Sequence, residues 1–349
     1  MVQAMIHELH TRAESLESFV SKKLTTLYLG GGTPSLLDTS ELESLFSNVE
    51  QIWGIPVSEL SEVTIECNPE DISPEKVNAW KQLGINRLSI GLQSLNDEEL
   101  KIMNRQHSAE QSRQCVQLAQ DAGFQNISID LIYGTPWKSN TEWEQELDWA
   151  LQSGITHLSC YALTVEEKTR LHHQISKQIL PQPNEELMVQ QFEILQKKIQ
   201  EFGWDDYEIS NFCKPGHRAI HNGNYWKRFP YLGIGPSAHS FDGNNQRSWN
   251  VSNNAEYIRK IINNETGYET EILNEKEIFN EMIMTGLRTK EGINRYIFSS
   301  LNPKDQEKTE QKMIDFKHSN WIEEIESNIC LTHSGRLISD YIISELMII

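Results

Sequence analysis

Three consecutive glycines, Gly30, Gly31 and Gly32, followed by Thr33-Pro34-Ser35, close the apolar run 24–29. Backbone without side chains lets a ligand approach the main chain closely, and Pro34 keeps Thr33 out of helical geometry. Gly31, Gly32 and Thr33 therefore read as a binding loop. It carries no Gly-Lys-Ser/Thr, and Ser35 stands where a dinucleotide fingerprint needs its third glycine, so neither of those phosphate loops is present. Polar residues recur at the ends of the other apolar runs: Glu66 after Val-Thr-Ile, Gln93 in Ser-Ile-Gly-Leu-Gln, Asp130 in Ile-Ser-Ile-Asp-Leu-Ile, and Tyr161 in Ser-Cys-Tyr-Ala. A carboxylate in apolar surroundings is costly unless it is paired or hydrogen-bonded, so this set points to a ligand bearing hydroxyls or amines. Each residue alone reads as a helix cap or a satisfied core acid, and only together do they suggest one site.

A second concentration lies at 207–241, which holds His217, His221 and His239 among Tyr207, Tyr225, Trp226 and Tyr231. The three histidines have the chemistry to ligate a metal. The run His221-Asn222-Gly223-Asn224-Tyr225-Trp226 sets an imidazole beside large rings, as an axial ligand to haem iron requires. Taken alone, these residues favour the plainer reading, a histidine hydrogen-bonded inside a structured loop.

The elements that must position these groups alternate regularly. Buried strands are expected at 24–29, 63–67, 87–90, 127–133 and 158–163, with helices at 40–53, 74–83, 97–121 and 141–153 between them. A further helix at 184–202 and a short strand at 207–209 extend the series. Strand then helix, repeated, implies an α/β parallel sheet with function at the strands' C-terminal ends. An open doubly wound sheet and a partial barrel both satisfy the pattern. Before it, Val2, Met5, Ile6, Leu9, Leu16 and Phe19 share one face of an opening helix over 2–20. Beyond about 250 the pattern changes to polar helical segments, closing on apolar runs at 329–331 and 337–343 with a turn at 334–335. The expected division is a main domain, 1–250, and a small α+β domain, 251–349.

The 31 basic and 50 acidic side chains give a net charge of −19, which argues against nucleic acid or an anionic bilayer as partner. The apolar tail 341–349 is about half the ~18 residues of a membrane span, and the N-terminus lacks a signal-peptide core, so a cytoplasmic protein is expected. The five cysteines, Cys67, Cys115, Cys160, Cys213 and Cys330, are too scattered for a zinc ribbon or a local cluster loop.

The segments LGGGTPSLL, TIECNPEDI, RLSIGLQSLND, NRQHS, NISIDLIYGTP, HLSCYAL, YEISNF, HNGNYW and LGIGPSAHSF occur in this order. Over nearly its whole length the sequence resembles the radical S-adenosylmethionine proteins related to oxygen-independent coproporphyrinogen III oxidase, most closely their haem-chaperone branch. The resemblance implies a partial parallel βα barrel with a small C-terminal domain. It implies that Gly31, Gly32 and Thr33 hold the methionine end of S-adenosylmethionine and that Glu66 meets its ribose. Gln93, Arg105, Asp130 and Ala162 match positions that line a second S-adenosylmethionine site in the oxidase branch. His221, Asn222, Tyr225 and Trp226 match the HNxxYW haem pattern of the chaperone branch, with His221 as the iron ligand.

The family's CxxxCxxC loop, whose thiolates hold a [4Fe–4S] cluster, is absent from these 349 residues. The chain opens at the helix that would follow that loop, so the family's first strand is also expected to be missing. Smaller departures are Asn104 before the arginine, Thr135 within the usual Gly-Leu-Pro and Ser237 within the usual Gly-Pro-Gly. The expected function is a haem-binding chaperone that passes haem to an acceptor protein the sequence does not identify. The alternatives are a radical coproporphyrinogen III dehydrogenase, whose chemistry the missing cysteines count against, and an unrelated barrel enzyme acting on a small metabolite.

Overall fold

The structure is a computed structural model and describes residues 1–15 and 23–348. Leu16 and Phe19, expected on the opening helical face, lie outside the described residues. The described chain packs into two compact units, one of 26–39 and 61–219, the other of 1–25, 40–60 and 220–349. These bounds differ from the 1–250 and 251–349 division expected from composition.

The first unit is built on a seven-stranded sheet of order β1-β2-β3-β4-β5-β7-β6. Its strands are β1 (Thr26–Leu29), β2 (Glu62–Cys67), β3 (Arg87–Gln93), β4 (Asn126–Tyr133), β5 (His157–Ala162), β6 (Asp205–Asp206) and β7 (Asn211–Cys213). The first five are parallel and stand in chain order. The order never reverses, which is the barrel pattern and removes the doubly wound alternative, since right-handed crossovers then stack all the helices on one face. β7 and β6 close the sheet antiparallel. The strand expected at 207–209 is instead a turn between those two, where Glu208 accepts a bond from Ser210 N at 3.2 Å.

Side-chain parity explains what the sheet does. Ile65, Leu88, Ile90, Leu92, Ile127, Ile129, Leu131 and Leu158 lie on one face and are fully buried. The register aligns Thr64 with Arg87, Glu66 with Ser89 and Ser128, and Asp130 with Ser159 on the other. Register partners on neighbouring strands share a face, so the second face is a polar lumen.

The helix expected over 97–121 is two helices, Asp97–Ile102 and Ala109–Asp121. Asn104, with φ of +58°, ends the first in a left-handed cap. Ser108 starts the second in a reciprocal capping box with Gln111. The break places Arg105 and His107 beside the loop after β2. Arg105 Nη1 donates to Asn68 at 3.2 Å, and His107 lies 3.0 Å from Glu70.

The second unit carries two three-stranded sheets. One joins β8 (His239–Phe241), β9 (Gln246–Asn250) and β10 (Tyr268–Ile272), and the other joins β11 (Ile293–Asn294), β12 (Ile322–Ile325) and β13 (Asn328–Leu331). The closing run at 337–343 is helical, within His333–Leu337 and Ser339–Leu346. On the opening helix, Val2–Ser15, the buried face includes the charged pair Glu8 and Arg12 as well as Leu9. Glu8 accepts from Tyr257 OH at 2.5 Å, Asn250 Nδ2 at 2.7 Å and Gly235 N at 2.9 Å. Arg12 donates to Ser248 and Ser240 at 3.0 and 3.2 Å. The segment LGIGPSAHSF thus anchors the N-terminal helix, with Gly235 at φ of +109° turning its N–H toward Glu8.

Candidate functional site

At the upper end of the lumen, the loop after β1 bends at Gly31, φ +86°. A Cβ placed at Gly31 or Gly32 would meet nothing within 4 Å, so the backbone there faces open space. Gly30 is glycine for a different reason: a Cβ would lie 2.7 Å from Glu66 Oε1 and against the Tyr28 ring. Glu66 reaches from β2 to fix this loop, accepting from Tyr28 OH at 2.7 Å and from Gly31 N at 2.9 Å. Burial and the Glu66 carboxylate together push the Tyr28 hydroxyl far above its ordinary pKa, so it stays a donor. Thr33 precedes the short 3-10 turn Pro34–Leu36 with φ of −133°.

On β3 the register shifts between Ile90 and Gln93, and Gln93 adopts φ of +68°. A left-handed glutamine at a strand end is strained, a cost that collects at binding sites. Its amide and the Arg105 guanidinium meet over Gly91, where a Cβ would lie 2.9 Å from Gln93 Nε2 and 3.7 Å from Arg105 Nη2. Burial lowers the Arg105 pKa.

On β4, Asp130 faces the same lumen. Burial raises its pKa to about 6, against the opposing pull of a Ser159 hydrogen bond and the nearby Arg87 charge. Ala162 ends β5 opposite Tyr133. The neighbouring Tyr161 is 45% exposed, so this end of the lumen is open.

All eight residues expected around S-adenosylmethionine therefore belong to one unit: Gly31, Gly32 and Thr33 in the loop after β1, Glu66, Gln93, Asp130 and Ala162 on the C-terminal halves of β2 to β5, and Arg105 in the break between the two helices that follow β3. The sequence reading named Gly30 within the glycine loop but missed Tyr28, Asn68 and Gly91. Tyr28 could have been found, since it is two residues before Gly30 on the face that Glu66 shares.

The haem-motif residues lie in the other unit, on the short helix Ile220–Trp226. His221 Nε2 is 2.9 Å from Tyr225 OH, and the rings meet edge to face at 5.0 Å. Tyr225 meets Tyr231 edge to face at 4.7 Å, and Tyr231 continues to the buried Phe241 at 6.3 Å. Ile220, Tyr225 and Phe229 are exposed, and Asn222 is half-buried. Trp226 Nε1 is buried with no hydrogen-bond partner. A histidine, an exposed aromatic face and an orphaned indole N–H fit a flat apolar ligand with polar edges. Among the described residues, no three His, Cys, Asp or Glu side chains gather as a metal site, His217 and His239 included.

All five cysteines are buried, on β2, the helix Ala109–Asp121, β5, β7 and β13. Burial pushes the Cys115 thiol to about 12 and those of Cys67 and Cys160 well above the ordinary range. No helix among the described residues is long and apolar enough to cross a membrane.

A sheet of parallel strands in chain order, with a glycine loop after its first described strand and a polar lumen, is the architecture of radical S-adenosylmethionine proteins. The Radical SAM superfamily model matches residues 7–150. The structure is similar to that of Escherichia coli coproporphyrinogen III oxidase HemN, a radical SAM enzyme, with a TM-score of 0.83 and 19% identity over 99% of this chain and 82% of that one. In sequence the chain is 33% identical to the heme chaperone HemW of Bacillus subtilis, over 93% of this chain and 86% of the relative. It is 31% identical to the Mycobacterium tuberculosis heme chaperone HemW, over 92% and 80%. The chain belongs to the HemW family of the radical SAM superfamily. That superfamily implies S-adenosylmethionine and a [4Fe–4S] cluster as cofactors.

Proposed function

We propose that this protein binds haem at His221, Asn222, Tyr225 and Trp226 and hands it to an acceptor protein, and that S-adenosylmethionine occupies the upper lumen of the partial barrel. The haem reading rests on the His221–Tyr225 pair beside the orphaned Trp226 indole. S-adenosylmethionine supplies a cationic, zwitterionic ligand suited to the open backbone at Gly31 and Gly32. Glu66, already accepting from Gly31 N, stands next to that backbone to accept from sugar hydroxyls. Gln93, Arg105, Asp130 and Ala162 line the same lumen for a second such ligand. The [4Fe–4S] cluster supplies the electron for reductive cleavage when bound, and the five buried, dispersed thiols of this chain do not fit its ligation. The reading as a chaperone is therefore preferred to a dehydrogenase acting through these residues. Titration of the protein with haem should give a saturable Soret band, and a spectrum identical to free haem at every ratio would refute the assignment.

Asp130 gives a pH signature. Its carboxyl, held near pKa 6, is largely protonated at pH 5 and ionised at pH 7, and only the ionised form attracts a sulfonium or ammonium. S-adenosylmethionine affinity should thus rise as pH rises through 6, by at most about tenfold between pH 5 and 7, the change in the ionised fraction. Asp130→Asn should flatten that rise. Equal pH dependence in the variant, read by calorimetric titration, would remove Asp130 from the site.

A further inference from the structure

Below the residues assigned to S-adenosylmethionine, the lumen holds two buried polar atoms with no hydrogen-bond partner, one on Arg87 and one on Thr64. Arg87 opens β3, and Thr64 is its register partner on β2, so the two stand side by side on the polar face. Arg87 is 4% exposed and Thr64 0%. Arg87 Nε and Thr64 Oγ1 are buried without a hydrogen bond, and among the described residues Arg87 forms no ion pair. A buried guanidinium N–H without an acceptor is unfavourable, and so is a buried hydroxyl with neither donor nor acceptor.

The acids of the lumen do not relieve it. Glu66 is held by Tyr28 and Gly31 N, and Asp130 accepts from Ser159. Glu62, two residues before Thr64 on the same face, is buried and has an interaction of its own. His157 is engaged on both sides, its Nδ1 2.7 Å from Ser128 Oγ and its Nε2 2.7 Å from Tyr207 OH. The arginine's charge nevertheless reaches Tyr28, Asp130 and His157, which locates it inside the lumen and away from the sheet's helical face.

We propose that Arg87 and Thr64 form a subsite on the floor of the lumen that takes the carboxylate of a small ligand. The planar guanidinium offers parallel N–H donors matched to two carboxylate oxygens, and the Thr64 hydroxyl adds a third donor from the adjacent strand. The subsite lies deeper than Glu66, Gln93 and Asp130, since Thr64 precedes Glu66 on β2 and Arg87 precedes Gln93 on β3. It is independent of haem binding at 220–226.

Sodium propionate is the probe, with sodium chloride at equal ionic strength as the control. At about ten times its dissociation constant, propionate should raise the melting temperature of the wild-type protein by about 3–6 °C over chloride. Arg87→Gln should abolish the difference, Arg87→Lys should keep only a part of it, and Thr64→Val should reduce it. If Arg87→Gln does not fold, the reduced responses of Arg87→Lys and Thr64→Val carry the test. A wild-type response no larger than that to chloride would overturn the proposal, as would Arg87→Lys and Thr64→Val responses equal to the wild type.

Discussion

Lys138→Met should lower the stability of the barrel unit by about 3–5 kcal/mol, the cost of leaving a buried charge without its partner. Lys138 Nζ lies 3.0 Å from Glu99 Oε2 and 2.5 Å from Glu146 Oε2, with all three side chains buried. It also donates to Ile132 O at 3.1 Å and stands over the Trp143 ring. Ser94 Oγ lies 2.5 Å from Glu99 and 2.7 Å from Glu146. One hydroxyl has one proton to give, so one of these carboxyls must supply its own. Burial raises the Glu99 pKa against the pull of the Lys138 charge, and the lysine ammonium sits between the two carboxyls, nearer Glu146. Removing the lysine strands Glu146. The urea midpoint should fall by about 1–2 M at pH 7.5. A midpoint within 0.3 M (about 1 kcal/mol) of wild type would show the network to be incidental. Its place matters for the site, since Ser94 and Lys138 tie down the loops that follow β3 and β4.

The second large effect is all-or-none. Anaerobic reconstitution of the 349-residue chain with iron and sulfide should leave it without a stoichiometric [4Fe–4S] cluster. Cluster iron needs clustered thiolates, whereas Cys67, Cys115, Cys160, Cys213 and Cys330 are buried in separate elements and burial pushes the thiols of Cys67, Cys115, Cys160 and Cys330 toward the protonated form. Four irons per chain with a matching EPR signal would contradict this.

How much of this was legible depended on the range of each signal. The five parallel strands were legible because both the apolar core and the crossover helices repeat locally, and barrel geometry followed once the strand order was known. The break at Asn104 was missed because a helical period runs on through it, although Ser108 followed by Gln111 is a capping signal. The roles of Glu8 and Arg12 were not legible, since their partners lie more than 200 residues away in sequence, among them Gly235, Asn250 and Tyr257. In the site, Gly31, Glu66, Gln93 and Asp130 stood out as polar or glycine interruptions of apolar runs. Arg87 and Thr64 did not, because only the register reveals that they share a face.

The haem assignment is tested most directly by spectrophotometric titration of the wild type, His221→Ala and a control histidine variant. His157 is a poor control, being buried between Ser128 and Tyr207. His318, exposed at the end of the helix Pro303–His318, is a clean one. With folding of each protein verified by circular dichroism, His318→Ala should bind haem with the wild-type Soret band, and His221→Ala should lose or shift that band. Identical haem spectra and affinities for His221→Ala and wild type would contradict the account.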